Sequence, residues 1–348
     1  MSFKILIRTP NHLGDCVMAI PMINETREAY PASSVTVLVP DYLAELYEGN
    51  PAIDEILSIP SRYVHGLIAV MKIKVLIAPH EFDVGYVLPP SFGAASSFKL
   101  AGVKERIGYI ADGRRLLLTK PLPLPAPLNS EHRSMVYFNL LRRGAGVDLE
   151  YVKPKLLLNK EDNDKAVRIL DGFGFPDNEP YAVIAFRAVA ESRHWGLDNY
   201  TELARAIAKD LKLRVILIGG PVDRKEGDKI AEAIETEDYI DEVINLAGKT
   251  SLRETAALLS RARIFIGNDS GPAHLAAAVG VPVVVLSGAD DPKETSPISN
   301  QKKLLYLDYL ECISCVKNKC PLRGEEFMQC LKGISLETVL AAVKELLQ

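Results

Sequence analysis

The sequence predicts an α/β fold built from two Rossmann-like domains. Short apolar runs alternate with amphipathic helical stretches along the chain, a pattern typical of parallel sheets with helices on both faces. The chain has 348 residues, which is a length expected for two domains, and its 48% hydrophobic and 25% charged residues suit a globular protein with two cores. We find no internal sequence repeat.

In the first half, five apolar runs are predicted as strands, with helices in the intervening stretches. Four prolines make residues 118–128 a stiff extended loop, and a helix is predicted over residues 131–144. Residues 159–180 are predicted to join the halves through a helix and a Gly/Pro turn. The predicted strands are residues 4–8, 35–39, 55–59, 83–88 and 106–109.

The second half shows the same alternation of strands and helices. We therefore expect an N-terminal domain over residues 1–170 and a C-terminal domain over residues 178–333. The last helix, within residues 335–348, is expected to pack back on the N-terminal domain. The predicted strands of this half are residues 181–186, 214–218, 243–245, 263–266 and 283–286.

Charge and hydropathy exclude several classes of protein. The formal net charge of −4 argues against bulk attraction to nucleic acid or to an anionic membrane. The longest apolar run, residues 275–289, is interrupted by Gly280 and Pro282 and is too short for a transmembrane segment. The N-terminus leads directly into a predicted strand, without the pattern of a secretory signal. We therefore expect a cytoplasmic protein whose membrane contact, if any, is peripheral.

Residues 267–274 (GNDSGPAH) join a predicted strand to an alanine-rich helix. Pro272 suits the first helical turn, where its missing N–H costs nothing, and Gly271 lets the backbone approach a ligand closely. The free amides at such a helix start form an anion site, which predicts phosphate binding. The alternative interpretation is an ordinary strand-to-helix connection of an α/β domain.

A second candidate site lies near the N-terminus, where the predicted strand over residues 4–8 leads through a loop into a helix. Asp15 is expected at the N-terminus of that helix, where a carboxylate is stabilised by the helix dipole and is commonly a cap. Ligands bind at loops that leave the carboxyl ends of parallel strands. Asp15 is therefore also a candidate general base for a hydroxyl nucleophile.

These segments, with several others, resemble the bacterial ADP-heptose:lipopolysaccharide heptosyltransferases, in particular the heptosyltransferase II branch. The resemblance extends over nearly the whole chain, and its motifs occur in the same order. It departs at His12, where the family usually has an aromatic residue such as Trp. The matching segments are residues 8–21 (RTPNHLGDCVMAIP), 106–109 (RIGY), 193–195 (RHW), 247–252 (AGKTSL), 267–274, 288–292 (GADDP) and 295–297 (TSP).

The resemblance implies a glycosyltransferase B-type fold, in which two domains face each other across an active-site cleft. It implies inverting, metal-independent transfer of a heptose from ADP-heptose to the inner-core heptose of lipid-linked lipopolysaccharide. The implied partners are ADP-heptose, held by the C-terminal domain, and a lipid A-linked inner-core oligosaccharide at the inner-membrane face, held by the N-terminal domain. Asp15 would deprotonate the acceptor hydroxyl. The implied donor-binding residues are Gly14, Arg193, Lys249, Thr250, Asp269, Ser270, Gly271 and His274.

Several of these residues also have ordinary structural explanations. Arg193 would stabilise the charge of the leaving ADP, but a surface ion pair is the alternative. A helical histidine such as His274 is often a structural residue. Lys249 and Thr250, assigned to the adenosine, also suit a solvated turn. Residues 290–291, which precede a proline, suit either a sugar contact or a helix N-cap.

Acceptor binding is predicted from charge. Basic residues outnumber acidic ones between residues 99 and 120, which would suit a phosphorylated, carboxylate-bearing acceptor. A solvated face is the alternative. The predicted acceptor-binding residues are Asn11, His12, Lys99, Arg114 and Arg115.

Metal binding raises two separate questions. Residues 162–164 (DND) fit the Asp-x-Asp pattern of metal-dependent glycosyltransferases, but no strand precedes them, and helix capping is the favoured role. We therefore expect no cofactor for catalysis. The C-x2-C-x4-C-x9-C pattern indicates a metal site in a cytoplasmic chain. A structural zinc site is one interpretation, and buried or redox-paired cysteines are the other. Its members are Cys312, Cys315, Cys320 and Cys330.

Two alternative functions are kept. One is a related sugar-nucleotide enzyme of the same fold, with another glycosyl donor or 2-epimerase activity. The other is a non-catalytic nucleotide-sugar binder in which Asp15 is only a cap. A nicotinamide dehydrogenase is disfavoured, because neither Gly-x-Gly segment, at residues 144–146 or 172–174, follows a predicted strand or completes G-x-G-x-x-G.

Overall fold

The computed structural model describes residues 3–127, 130–175, 179–234 and 242–348. The chain divides into two compact units, Met1–Leu157 and Leu158–Gln348. The N-terminal domain predicted from the sequence ends at residue 170. In the structure the helix Lys160–Gly172 belongs to the second unit, where its residue Asp162 forms an ion pair with Arg253.

The first unit is a parallel sheet with helices. Its strands pair in the order β3-β2-β1-β4-β5-β6. The strands are β1 (Phe3–Arg8), β2 (Ser33–Pro40), β3 (Glu55–Ile59), β4 (Val84–Val87), β5 (Glu105–Tyr109) and β6 (Lys120–Leu122). The helices are α1 (Leu13–Met18), α2 (Ile20–Ala29), α3 (Leu67–Ile77), α4 (Phe92–Leu100) and α5 (Arg133–Ala145).

The second unit has the same architecture. Its strands pair in parallel in the order β12-β11-β10-β7-β8-β9. The strands are β7 (Tyr181–Ala185), β8 (Arg214–Ile218), β9 (Val243–Asn245), β10 (Ile264–Asn268), β11 (Val283–Leu286) and β12 (Lys302–Leu305). The helices are α6 (Lys160–Gly172), α7 (Leu197–Leu211), α8 (Arg224–Ile234), α9 (Leu252–Arg261), α10 (Gly271–Val279), α11 (Pro292–Thr295), α12 (Gln329–Lys332) and α13 (Leu336–Leu347).

The two sheets share the Rossmann strand order. Counted within each unit, the order is 3-2-1-4-5-6, and the direction of winding reverses between the first and fourth strands. In open parallel sheets, ligands bind outside the carboxyl ends of the strands at this reversal. Ligand sites are therefore expected in the loops after β1 and β4 in one unit, and after β7 and β10 in the other. The predicted α/β fold of two Rossmann-like domains is confirmed.

The central strands are buried because apolar, largely β-branched residues continue along them without alternation. All five residues of β7 and all four of β11 are buried. Such runs are typical of parallel strands that are covered by helices on both faces.

The proline-rich segment contains a strand that the sequence did not predict. Pro121 lies in β6, an edge strand whose partner is β5, with Gly108 opposite Pro121. A proline lacks the N–H for a second ladder, and an edge strand needs only one. The end of the predicted loop, residue 128, lies outside the described residues, as do residues 176–178 of the predicted turn between the halves.

The terminal helix α13 packs within the second unit. Its buried residues Val339, Ala342 and Val343 belong to that unit's core, against strands β10 to β12 and helix α7. These contacts lie within the second unit, and the expectation that the helix also packs back on the first domain stays a prediction. Among the described residues, no helix is long and apolar enough to cross a membrane.

Candidate functional site

Asp15 lies in the first turn of α1, just beyond the carboxyl end of β1. The N-cap of this helix is His12, and the helix has no side-chain capping bond. The Asp15 carboxylate instead accepts a hydrogen bond from the Tyr137 hydroxyl (Oη to Oδ1, 3.0 Å), and Arg133 Nη1 lies 3.5 Å from the same oxygen. The Asp15 side chain is 21% exposed. Its partners are thus side chains of α5, which argues against a capping role.

The loop between β1 and α1 is fastened to its surroundings. The buried Arg8 guanidinium donates to the Asn11 side chain (Nη2 to Oδ1, 2.6 Å), and the Tyr42 hydroxyl donates to the Asn11 carbonyl (2.8 Å). Burial lowers the pKa of Arg8 to about 10, so the guanidinium stays charged at neutral pH. His12 is exposed and Gly14 is half-buried. Of the two loop residues assigned to the acceptor, Asn11 is internally bonded and His12 faces solvent.

The predicted basic patch separates into exposed and buried members. Lys99 and Arg115 are exposed, whereas Arg114 is fully buried, and burial lowers its pKa to about 10. Its guanidinium bridges the ends of β4 and β5 and the loop after β4. It donates to three backbone carbonyls, those of Val87 (3.3 Å), Pro89 and Tyr109 (2.9 Å). Arg114 therefore holds the strand ends in place, and its assignment to the acceptor is corrected.

The predicted anion site lies at the start of α10, after β10. Ser270 is the N-cap, but its hydroxyl donates to the Asn268 carbonyl (3.2 Å) and makes no capping bond to the helix. Pro272 lies in the first turn, as expected. Asn268 is fully buried, and neither its side-chain oxygen nor its nitrogen has a partner among the described residues. Unpaired buried amide groups are rare, which makes this helix start a candidate ligand site.

Asp269 and His274 are also buried beside this helix start. The Ser287 hydroxyl donates to Asp269 Oδ2 (3.2 Å), and His274 Nε2 lies 3.9 Å from Asp269 Oδ1. Burial and the nearby charge of Asp290 raise the pKa of Asp269 to about 7. The carboxyl therefore keeps its proton to a higher pH than an ordinary aspartate, and it interacts with the charges of Asp290 and Arg193.

Arg193 lies in a turn after β7, at the reversal point of the second sheet. Its Nε and Nη2 donate to the two carboxylate oxygens of Asp290, which follows β11, with 2.5 Å between Nη2 and Oδ1. Arg193 is 25% exposed and Asp290 is 13% exposed, so this is a largely buried pair. The fork geometry fixes the guanidinium plane beside the start of α10.

Lys249 and Thr250 lie after β9, two strands away from β7. The Lys249 ammonium stands 5.6 Å from the centre of the Phe173 ring, and the Thr250 and Thr255 hydroxyls are 2.8 Å apart. Both residues thus have structural contacts. The structure brings Arg193, Asp269, Ser270, Gly271 and His274 into one neighbourhood and leaves this pair at the sheet edge.

Four polar residues near these sites were missed by sequence reasoning. Arg187 lies two residues after the end of β7, with Nη1 2.7 Å from His194 Nδ1, and pairs with Glu226. Its place after a strand was the signal that could have found it. Asn268 lies in the segment 267–274 but was given no role of its own. Arg133 and Tyr137 carry no local signal, because their importance comes from burial and from contacts distant in sequence.

The four cysteines line a single pocket, together with Lys317 and Glu326. All four thiols are free, and burial and the neighbouring cysteines raise the pKa of Cys330 to about 11. The cysteine-containing loop is bonded to the loops that carry Asp290 and Arg193, through Val316 N to Ala289 O (2.7 Å) and Ser192 N to Asn318 O (3.1 Å). Among the described residues, no three His, Cys, Asp or Glu side chains are grouped as metal ligands would be.

The Asp-x-Asp segment, residues 162–164, caps a helix, as expected. Asp162 accepts from the Asn159 amide (2.8 Å) in a capping box at the start of α6. Arg253 Nε donates to Asp162 Oδ1 (2.9 Å), and both side chains are more than nine-tenths buried. The capping interpretation of Asp162 is confirmed, because its oxygens are committed to protein donors.

Known proteins are similar to this chain in sequence and in fold. The lipopolysaccharide heptosyltransferase 2 of Escherichia coli is 27% identical over 315 residues, which cover 87% of this chain and 88% of that protein. The solved ADP-heptose LPS heptosyltransferase II of E. coli superposes with a TM-score of 0.82 at 24% identity, over 99% of this chain and 98% of the other. A glycosyl transferase family 9 protein of Veillonella parvula gives a TM-score of 0.85 at 23% identity, over 99% and 97%.

The two structural similarities support the fold. Membership rests on the sequence, since residues 70–325 match the model of glycosyltransferase family 9 (heptosyltransferase). That match includes the turn with Arg193, the start of α10 and the loop with Asp290. The chain therefore belongs to glycosyltransferase family 9, the heptosyltransferases, and is a glycosyltransferase.

Proposed function

We propose that this chain transfers a heptose from ADP-heptose to the inner-core heptose of lipid-linked lipopolysaccharide, with inversion and without a catalytic metal. The family and the E. coli relative support heptose transfer. One observation carries the finer proposal: the two polar sites each follow a strand at the reversal point of their own sheet, Asp15 after β1 and Ser270 after β10.

The diphosphate of the donor is assigned to the start of α10. This nine-residue helix has no side-chain cap. Pro272 has no N–H and the Ala273 amide donates to the Ser270 carbonyl (3.0 Å), so the amides left for an anion are those of Ser270 and Gly271. The buried Asn268 amide, without partners among the described residues, adds polar groups for a ligand. Arg193 donates to Asp290 from Nε and Nη2. Its Nη1 has no partner among the described residues, so the N–H groups of Nη1 can donate to a phosphate oxygen.

Inversion is expected from a single displacement. The acceptor hydroxyl oxygen attacks the anomeric carbon on the face opposite ADP, and the carbon–oxygen bond to the diphosphate breaks with its electron pair. The hydroxyl proton passes to the Asp15 carboxylate, which lies within the first turn of α1. Helix amides and Arg193 stabilise the charge that develops on ADP. These groups all belong to the chain, so the scheme includes no metal ion.

The acceptor is assigned to the first unit. Lys99 and Arg115 are exposed cations that suit a phosphorylated core, and Asn11 and His12 lie beside Asp15. Arg114 is left out because its donors are bonded to backbone carbonyls. Since the proposed acceptor is lipid-linked, we place the protein on the cytoplasmic side, peripherally at the inner membrane.

Structural zinc is one of two interpretations of the cysteine pocket, and buried or redox-paired cysteines are the other. Four thiols share the pocket and thiolates are the ligands that zinc prefers, but among the described residues the side chains are not grouped as metal ligands would be. Bound zinc would hold the loop that is bonded to Ala289 and Ser192, the neighbours of Asp290 and Arg193. Its effect would be on the stability of the donor site, with no part in the transfer.

Turnover with purified ADP-heptose and a defined, truncated lipopolysaccharide core tests the function. The expected product is the acceptor enlarged by one heptose, with inverted anomeric configuration and with release of one ADP. Epimerisation of a nucleotide sugar without transfer would indicate the alternative enzyme. Tight binding of ADP-heptose with neither reaction would indicate a non-catalytic binder.

A further inference from the structure

Helix α5 presents three polar side chains to α1. The Ser134 hydroxyl donates to the Met18 carbonyl (2.7 Å), the Tyr137 hydroxyl donates to Asp15 Oδ1 (3.0 Å), and Arg133 Nη1 lies 3.5 Å from that oxygen. Residues 133 and 137 are one helical turn apart and share a face. The two helices are therefore joined by specific bonds at the point where the proposed base lies.

The two oxygens of Asp15 are in different situations. Oδ1 receives both the Tyr137 hydroxyl and the Arg133 guanidinium, whereas Oδ2 has no partner among the described residues. The Asp15 side chain is 21% exposed, so the carboxylate is not closed off from solvent. A carboxylate held at one oxygen has a fixed rotamer and presents the other oxygen in one direction.

Tyr137 is suited to be a permanent donor. It is only 7% exposed, and burial, followed by the negative charge of Asp15, raises the pKa of its hydroxyl well above the ordinary value. The phenol therefore keeps its proton across the physiological range. Its hydroxyl donates and does not compete with Asp15 for the proton of a substrate.

We infer that Tyr137 is a positioning residue, assisted by Arg133: it holds Asp15 by Oδ1 and leaves Oδ2 as the atom that removes the proton of the acceptor hydroxyl. This inference rests on the proposed function, because it needs Asp15 as the base. In the step itself, the acceptor O–H bond breaks, its proton binds Oδ2, and the hydroxyl oxygen forms the new bond to the anomeric carbon. Tyr137 gains and loses no atom.

The test replaces Tyr137 by Phe, which removes the hydroxyl and keeps the buried ring. Because a misplacement of about 1 Å in a reacting group can cost about 100-fold in rate, we expect kcat to fall about 10- to 100-fold. The KM for ADP-heptose should change less than about twofold, since Tyr137 touches no proposed donor ligand. Tyr109→Phe is the matched control: its hydroxyl donates to the Val136 carbonyl of the same helix (2.8 Å) without contacting Asp15. That variant should lose melting temperature but keep kcat.

A double-mutant cycle separates positioning from general stability. If Tyr137 acts through Asp15, Tyr137→Phe should cost nothing further in kcat once Asp15 is already Asn. An equal loss in both backgrounds would overturn the inference, and so would a Tyr137→Phe enzyme with kcat within twofold of the wild type. Failure of the proposed base looks different, because Asp15→Asn alone would then retain its activity.

Discussion

Replacing Asp15 by Asn tests the proposed base at a single atom. Asn has the shape of Asp, and its side-chain oxygen can still accept from the Tyr137 hydroxyl, but an amide cannot take up the acceptor proton. General-base catalysis contributes about 10² to 10⁴ in rate. At ~1.36 kcal/mol per decade, the barrier should rise by about 2.7 to 5.4 kcal/mol.

The same substitution should leave the fold nearly unchanged. His12, and not Asp15, is the N-cap of α1, so no capping bond is lost. The interaction that disappears is the 3.5 Å ion pair with Arg133, whose side chain is 36% exposed. Exposed pairs of this kind contribute about 0 to 1 kcal/mol, which corresponds to a shift of at most about 4 °C in melting temperature.

Heptose transfer is measured as kcat at saturating acceptor, beside the melting temperature and the ADP affinity. Asp54→Asn is the matched control, because Asp54 accepts from the Val35 amide (2.7 Å) and pairs with Arg27 at the opposite, amino-terminal edge of the same sheet. The control should lose stability and keep kcat. An Asp15→Asn enzyme that retains more than about a tenth of the wild-type kcat would refute general-base catalysis by Asp15. An unchanged kcat would show that the role of Asp15 is structural.

Four further predictions concern the other groups. In calorimetry, ADP should bind equally well with and without EDTA, and a loss of affinity in EDTA would contradict a metal-free site. Arg193→Ala should weaken ADP binding by about 1 to 3 kcal/mol. Arg115→Ala should raise the KM for the acceptor with little effect on melting temperature, whereas Arg114→Met should lower the melting temperature by removing three bonds to backbone carbonyls. Burial raises the pKa of Asp269 to about 7, so the folded protein keeps a proton that the unfolded chain loses above about pH 4, and stability should fall as pH rises between these values. Asp269→Asn should therefore raise the melting temperature more at pH 8 than at pH 5, and an equal change at both would show that this carboxyl is not the cause. If the four cysteines hold zinc, elemental analysis of protein purified under reducing conditions should find about one equivalent of the metal, and its absence would reject the zinc interpretation.

Local sequence was sufficient for ten of the twelve strands in the described part of the chain, all but β6 and β12, and for the two loops that carry the candidate sites. The run of apolar residues in β7 predicts a buried parallel strand, because such a strand is covered on both faces and its sequence need not alternate. The start of α10 was equally predictable, since Ser270, Gly271 and Pro272 have the conformational preferences of a helix N-terminus. The favoured capping role of Asp162 was correct for the same reason.

Three-dimensional packing decided what those local signals could not. Arg114 and Arg115 are adjacent and chemically identical in the sequence, yet one is buried on carbonyl groups and the other faces solvent. The Asp15 carboxylate meets the Tyr137 hydroxyl across 122 positions of the chain. The placement of α13 depends likewise on which apolar surface the second sheet leaves uncovered. Local propensity acts over a few residues, whereas burial and ion pairing depend on distant segments that the folded chain brings together.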